Sequence, residues 1–235
     1  NVSVREGWDQ TFTITPDKDY AVAKVLIDNE NVGAVESYTF AKVKKAHTIE
    51  VVFMKASAAP QTGVFMDVPE GSYYEEAVRW AVEKSIATGT GANTFAPNGI
   101  CTRAQIVTFL WRAAGSPEPK SMSSFTDVSA DAYYAKAVAW AVEKGIANGT
   151  SETAFSPGAA CTRAQAVTFL WRANGSPAVS GNMSFTDVAV DAYYAAAVTW
   201  AEQNGITGGI GGGLFGSGNN CTRAQIVTFL WRSMK

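Results

Sequence analysis

Apolar positions recur with helical spacing in one twelve-residue block, Cys-Thr-Arg-Ala-Gln-Ile-Val-Thr-Phe-Leu-Trp-Arg at 101–112. Ile106, Phe109 and Leu110 fall on one helical face, and Trp111 widens the stripe. Thr102 suits an N-cap, and Gln105 three residues later completes a capping box. The block returns at 161–172 with Ala166 in place of isoleucine, and unchanged at 221–232, a period of 60 residues. A fixed period implies one structural unit copied and stacked.

A shorter apolar run precedes each block: Ala-Val at 77–78, 137–138 and 197–198, then Trp80, Trp140 and Trp200. The pattern predicts a first helix over about Ala132 to Lys144 in the second copy. Gly145 suits its C′ position and Gly205 plays that part in the third copy, whereas Ser85 is a poorer terminator in the first. Gly115-Ser-Pro117 and Gly175-Ser-Pro177 end the second helices. Each unit reads helix, loop, helix. Such a unit cannot bury its apolar stripe alone, so the three copies must pack on each other.

Residues 1–56 carry a period of two instead. Thr11 to Thr15 alternates, Val22 to Ile27 is β-rich, Asp28 to Asn31 is a turn cluster, and Tyr38 to Phe40 and Thr48 to Phe53 read as further strands. A β domain of four or five short strands is expected. Met54 to Val64 is rich in Ala, Ser, Pro, Gln and Gly and reads as a linker. The expected organisation is a β domain at 1–56, a linker at 57–63, and repeats at 64–119, 120–179 and 180–235.

Composition narrows the function classes. The 235 residues are 47% hydrophobic with net charge −2, enough for more than one domain and short of the basic stripe that nucleic acid requires. No apolar run reaches bilayer-spanning length. The chain opens at Asn1 without a methionine or signal peptide, and the expectation is an excerpt from a longer secreted protein.

The flanks of the block repeat too. Phe65-Met-Asp-Val answers to Phe-Thr-Asp-Val at 125–128 and 185–188; tyrosine pairs follow at 73–74, 133–134 and 193–194; glycine loops follow at Gly89-Thr-Gly91, Gly149 and Gly208-Gly209; then come Phe-Ala-Pro at 95–97 and Phe-Ser-Pro at 155–157. This order, closed by Thr-Arg-Ala-Gln, resembles the S-layer homology domain in three tandem copies from roughly Val64 to Lys235. There are departures: glutamine replaces the family's glutamate after Thr-Arg-Ala, Tyr-Tyr replaces its His-Trp, the first copy has Ser85-Ile86 for Gly-Ile, and the third reads Phe215-Gly-Ser217 without proline. The resemblance implies a mainly α fold of three helix-loop-helix repeats in a pseudo-threefold arrangement with a central helix bundle, plus the small N-terminal β domain. Asp9 to Pro16 through Val32-Gly-Ala34 resembles the divergent internalin-type B repeats of bacterial surface proteins, which implies a spacer or adhesive module.

Candidate site residues follow from the triplicate motifs. Arg103, Arg163 and Arg223 sit in the first helical turn, where a cation opposes the helix dipole. Either they are solvated or locally paired, or they hold an anion or sugar beside free helix amides. Asp67, Asp127 and Asp187 cap the loop before the first helix or, by the resemblance, bind sugar hydroxyls in grooves between units. Tyr74, Tyr134 and Tyr194 match the family's tryptophan and would stack on a sugar face, leaving Tyr73, Tyr133 and Tyr193 to packing. Gly89, Gly149 and Gly209 allow a close backbone approach or simply a tight turn. The tryptophans read as core. Cys101, Cys161 and Cys221 read as buried N′ residues with free thiols; a three-thiolate metal site and a disulfide plus a free thiol are the alternatives. His47 is the only histidine, so no Ser-His-Asp or Cys-His set exists within the repeats, although a carboxylate pair for sugar hydrolysis is conceivable.

The reading that results is a non-enzymatic, extracellular module without cofactor or metal. The resemblance implies that it anchors a surface protein to the bacterial cell wall by binding a secondary cell-wall polysaccharide, one often bearing pyruvylated sugars. A lattice or partner-assembly role, and a tether for an enzyme outside this sequence, are the alternatives. The glycine-rich loop of the third repeat is expected to be the least pre-organised, with Arg223→Ala the least costly of the three arginine substitutions.

Overall fold

The computed structural model describes residues 2–17, 20–33, 35, 37–55, 65–91 and 93–235. The chain divides into two compact units, Asn1–Gln61 and Thr62–Lys235. The expected linker at 57–63 lies outside the described residues.

The first unit holds β1 (Gln10–Thr13), β2 (Tyr20–Ile27), β3 (Glu30–Gly33), β4 (Ser37–Phe40) and β5 (Ile49–Lys55). β1 and β4 pair antiparallel, and a second sheet runs β3-β2-β5. Asp28 and Asn29 turn β2 into β3 at positive φ, 49° and 69°, which Asx residues tolerate. The turn is thus shorter than the cluster suggested, and Glu30 already begins β3. The Asp28 carboxylate accepts the N–H of Thr48 at 2.8 Å and meets His47 Nδ1 at 2.7 Å. Those two partners, the backbone N–H first, hold its pKa below the ordinary carboxylate value. Ile14, Val25, Ile27 and Phe40 form a small separate core.

The second unit is helical: α1 (Glu75–Glu83), α2 (Arg103–Ala113), α3 (Ala135–Glu143), α4 (Arg163–Ala173), α5 (Ala195–Gln203) and α6 (Arg223–Ser233). No described helix is long and apolar enough to cross a membrane. Helices α2, α4 and α6 pack on one another; α3 lies on α2, α5 on α4, and α1 on α6. Each first helix therefore packs on the second helix of the preceding repeat, and the first repeat closes on the last. The sequence pattern gives helix, loop, helix, but the packed pair straddles the repeat boundary.

The predicted capping boxes form in all three copies. Thr102, Thr162 and Thr222 accept from the N–H of Gln105, Gln165 and Gln225, whose side chains accept in return from the cap N–H. Helix α3 starts at Ala135 rather than Ala132, because tight i−3 turns precede it: Ala132 N–H donates to Ser129 and Ala135 N–H to Ala132. Trp111 and Trp171 donate from Nε1 to the carbonyls of Pro117 and Pro177, pinning the chain after each second helix.

The C′ residues of the first helices lie in the left-handed region in all three copies: Gly145 at φ 65°, Gly205 at 67° and Ser85 at 57°. A side chain there costs roughly 1–2 kcal/mol, which the extra unfolded-state freedom of glycine partly offsets. Ser85→Gly should stabilise the helical unit by about 1 kcal/mol, and Gly145→Ser should destabilise it by a similar amount. Denaturant unfolding of the two variants checks this, and a destabilising Ser85→Gly would contradict it.

Candidate functional site

The N-termini of the second helices meet end to end. Cys101 N–H donates to the Cys221 carbonyl at 2.9 Å, Cys221 to Cys161 at 2.8 Å, and Cys161 to Cys101 at 2.9 Å. The three hydrogen bonds close a cycle that needs all three repeats. The cysteines are unpaired and fully buried. Burial pushes the thiols of Cys101 and Cys161 up to about 12 and moves Cys221 in the same direction. Among the described residues no group of three His, Cys, Asp or Glu side chains is placed to hold a metal ion.

The next amides are used as well. Arg103 N–H donates to Ala159 and Ala104 N–H to Pro157; Arg163 and Ala164 donate to Asn219 and Ser217; Arg223 and Ala224 donate to Gly99 and Pro97. The free helix amides expected beside each arginine are therefore absent. The neighbouring repeat's loop has taken them, as a desolvated helix end requires.

The arginines cross the same seams. Arg103 Nε donates to the Phe155 carbonyl at 3.0 Å and its Nη2 to Asn148 at 2.7 Å. Arg223 reaches Phe95 and Thr88, both at 2.8 Å. Arg163 reaches Phe215 at 3.0 Å, but its Nη2 has only the Thr207 hydroxyl at 3.5 Å. All three side chains are buried, with relative exposures of 4%, 2% and 7% in chain order. Each guanidinium lies over the loop phenylalanine, 4.6–4.8 Å from its centroid, a contact worth about 2 kcal/mol when desolvated. Burial lowers the pKa of all three, and they remain cations. Their third nitrogen, Nη1, makes no hydrogen bond among the described residues. So each arginine is locally paired and still has one open arm.

These contacts change one expectation. The third repeat's loop is bonded by Arg163, while Arg223 serves the loop of the first repeat. The ground for expecting Arg223→Ala to cost least therefore attaches to Arg163, because the seams run between repeats.

Each aspartate bridges to a loop 28 and 29 residues later rather than capping the first helix. Asp67 accepts from Phe95 and Ala96 N–H, Asp127 from Phe155 and Ser156, and Asp187 from Phe215 and Gly216, all at 2.7–2.8 Å. Asp127 is desolvated, which opposes ionisation, yet its N–H donors hold its pKa below the ordinary value; the Phe215 N–H leads the same effect at Asp187. Asp127, Asp187 and Asp67 act electrostatically on Arg103, Arg163 and Arg223 respectively.

The glycines are needed where the loop passes the Phe-x-Asp-Val phenylalanine. A Cβ on Gly89 would stand 2.8 Å from the Phe65 ring, one on Gly149 2.6 Å from Phe125, and one on Gly209 2.5 Å from Phe185. This is the tight-turn reading, with the ring as the obstacle.

The tyrosine pairs are placed opposite to expectation. Tyr74, Tyr134 and Tyr194 are half-buried against the core, and they precede their helices without a side-chain cap. Tyr73, Tyr133 and Tyr193 are the exposed members, at 58%, 62% and 65%. Each stands edge-on to its neighbour with centroids 5.0 Å apart. Counting back four from the buried Val78 and seven from the buried Ala81 lands on Tyr74, so helical spacing held the signal. Tyr193 acts electrostatically on Arg103, Tyr73 on Arg163 and Tyr133 on Arg223. Partial burial, the leading cause, raises all three phenol pKa values, which keeps them neutral donors near pH 7. Every seam thus draws an arginine, an aspartate and a tyrosine from three different repeats. The partners Asn148, Thr88 and Thr207 carried no sequence signal, since two of the three act through the backbone.

The sequence profile described as S-layer homology domain matches residues 64–107, 124–167 and 184–227. A Surface-layer 125 kDa protein of Lysinibacillus sphaericus is 31% identical over 131 residues, which is 56% of this chain and 11% of that protein. A Cell surface protein of Thermoanaerobacter kivui is 33% identical over 115 residues, covering 47% of this chain and 15% of its own. An Endoglucanase of Bacillus sp. (strain KSM-635) is 33% identical over 109 residues, covering 46% and 11%. The chain spans only 9–15% of the length of the curated relatives it matches.

The buried thiols generate a test. Folded thiols stay protonated to higher pH than unfolded ones, whose ordinary value is 9.0. Their stabilisation is complete below that pH and is lost as pH rises toward the folded values, at ~1.4 kcal/mol per pH unit for each thiol. Denaturant unfolding at pH 8 and pH 10 should show this loss, and the triple substitution Cys101→Ala, Cys161→Ala, Cys221→Ala should reduce it. An equal loss in both proteins would remove the thiols as its cause.

Proposed function

Because the chain belongs to the S-layer homology domain family, we propose that its helical unit is an extracellular cell-wall anchor. It binds a secondary cell-wall polysaccharide non-covalently, an acidic one such as a pyruvylated glycan, and so holds a surface protein on the bacterial cell. The observation that carries this reading is the buried arginine in each seam, with one open nitrogen beside a tyrosine and an aspartate from the other two repeats. A guanidinium freed from competing water suits a carboxylate or sugar hydroxyl. The relatives named as surface-layer and cell-surface proteins support the location.

The proposed arrangement is pseudo-threefold, with repeats at 64–119, 120–179 and 180–235, a β domain at 1–56 and a linker at 57–63. The closed cysteine cycle and the mutual packing of α2, α4 and α6 support it. The proposed glycan ligands are Arg103, Arg163 and Arg223 with Asp67, Asp127 and Asp187. Gly89, Gly149 and Gly209 shape the loops. Tyr73, Tyr133 and Tyr193 offer the stacking faces, and Tyr74, Tyr134 and Tyr194 brace them. The β unit is proposed as a spacer of the internalin B-repeat kind, supported by its five short strands. Relatives named Endoglucanase and Endo-1,4-beta-xylanase A match the same region, which favours a second reading of the cargo as an enzyme.

Sedimentation with purified walls tests the proposal. Intact walls should retain the protein, and walls stripped of their secondary polysaccharide should not; equal retention would refute glycan anchoring. Exchanging Tyr73, Tyr133 and Tyr193 together for alanine should weaken retention at least ~10-fold, at about 1 kcal/mol per stacking ring, without lowering the melting temperature. Tyr134→Ala should instead lower the melting temperature.

A further inference from the structure

The three seams are built to one plan but are not chemically equal. In two of them a backbone carbonyl, Asn148 or Thr88, takes the arginine Nη2 at 2.7–2.8 Å. In the third, Gly208 stands at the corresponding position and its carbonyl takes no bond from Arg163. The nearest acceptor is the Thr207 hydroxyl at 3.5 Å, which also accepts the Gly209 N–H at 3.1 Å. The repeats put alanine, Ala87 and Ala147, where Thr207 stands. Arg163 is also the most deeply buried of the three arginines, at 2%. A buried guanidinium with two under-used nitrogens is a costly feature unless something else bonds it.

A second departure lies in the same seam. Pro97 and Pro157 are answered in the third repeat by Ser217, whose hydroxyl is buried and has no partner. The Ser217 carbonyl accepts from Ala164 N–H and the Phe215 carbonyl from Arg163 Nε, so this stretch lies along the start of α4. Two polar groups unsatisfied by the protein, one cationic and one hydroxyl, therefore occur at one seam, where the other repeats place a satisfied arginine and a proline.

The glycine-rich loop does not weaken this seam. Gly209, Gly211, Gly212 and Gly213 adopt φ of 79°, 99°, 61° and 73°, values that glycine alone takes freely. The loop is closed by Ile210 N–H to Leu214 at 2.8 Å, Leu214 N–H to Gly211 at 3.1 Å and Thr186 N–H to Gly213 at 2.9 Å. Its ordering cost falls on folding rather than on binding.

We propose that the Arg163 seam is the chain's carboxylate-recognition site: Arg163 Nη1 and Nη2 grip the carboxylate of an acidic sugar, and Ser217 Oγ donates to the same group. Tyr73, which belongs to this seam, offers the face against which the sugar ring lies. The Arg103 and Arg223 seams, whose Nη2 groups are already saturated, serve neutral parts of the polymer and hold the repeats together. This rests on the glycan-anchoring reading and names which seam reads the charge.

The experiment is calorimetry of the full chain with purified carboxyl-bearing secondary cell-wall polysaccharide fragments, and with the same fragments after chemical reduction of their carboxylates to alcohols. The unaltered chain should bind the acidic fragments at least ~10-fold more tightly, as a charge-assisted contact implies. Ser217→Ala should lower affinity for the acidic fragments ~5–10-fold, leave the reduced fragments unaffected, and leave the melting temperature unchanged or raised. Arg163→Lys, which keeps charge but not the fork, should cost more affinity than Arg103→Lys or Arg223→Lys. Equal binding of acidic and reduced fragments, no effect of Ser217→Ala, or a larger loss from Arg103→Lys or Arg223→Lys would each overturn the assignment while leaving glycan binding standing. Failure of the unaltered chain to bind either fragment would overturn the glycan reading itself.

Discussion

The helical unit depends on one constraint: the N-termini of α2, α4 and α6 are buried together, and their amides must still be satisfied. The capping box serves only the end of each helix itself, through Thr102, Thr162 and Thr222 and their glutamines. The remaining donors turn outward to the neighbouring copy, through the cysteine cycle and the loop carbonyls. An unmet buried amide costs roughly 1–3 kcal/mol, so no copy can adopt this geometry alone. Arginine in the first helical turn, unfavourable for an isolated helix, becomes favourable once a neighbour's carbonyls and phenylalanine ring receive it.

The same contacts make the candidate site a product of assembly. An arginine comes from one repeat, its aspartate from the next, and its tyrosine from the third. The loop that receives the arginine is shaped by a Phe–Phe pair, 5.5–5.7 Å between centroids, lying against a glycine with no room for a Cβ. Structural and ligand-facing roles therefore share side chains, because Nε and Nη2 fix the seam while Nη1 is left over.

Much of this was legible in the sequence, and the parts that were not share a cause. The second helices, their caps, the left-handed C′ positions and the buried cysteines follow from local spacing and local chemistry. Which helix packs on which does not: periodicity marks the apolar face of α3 without saying whether α2 or α4 covers it. The assignment of Arg223 to the third repeat's loop erred for that reason. The tyrosine pair was misread because the family's aromatic position was given more weight than the helical register that places Tyr74 with Val78 and Ala81. β3 was hidden because Glu30 and Asn31 are turn-forming residues whose strand conformation comes from pairing with β2.

The pairing of α1 with α6 sets a copy number. A solenoid of stacked repeats can lengthen, since each end presents a face to the next unit. Here the last second-helix is already covered by the first helix of the unit, and the cysteine cycle has no unused donor or acceptor. A fourth copy has nowhere to add without opening the ring, and a deleted copy leaves two faces uncovered. Evolutionary change in such a unit is confined to altering the three existing seams one by one, as the loop of the third repeat has been altered, rather than to gaining or losing repeats.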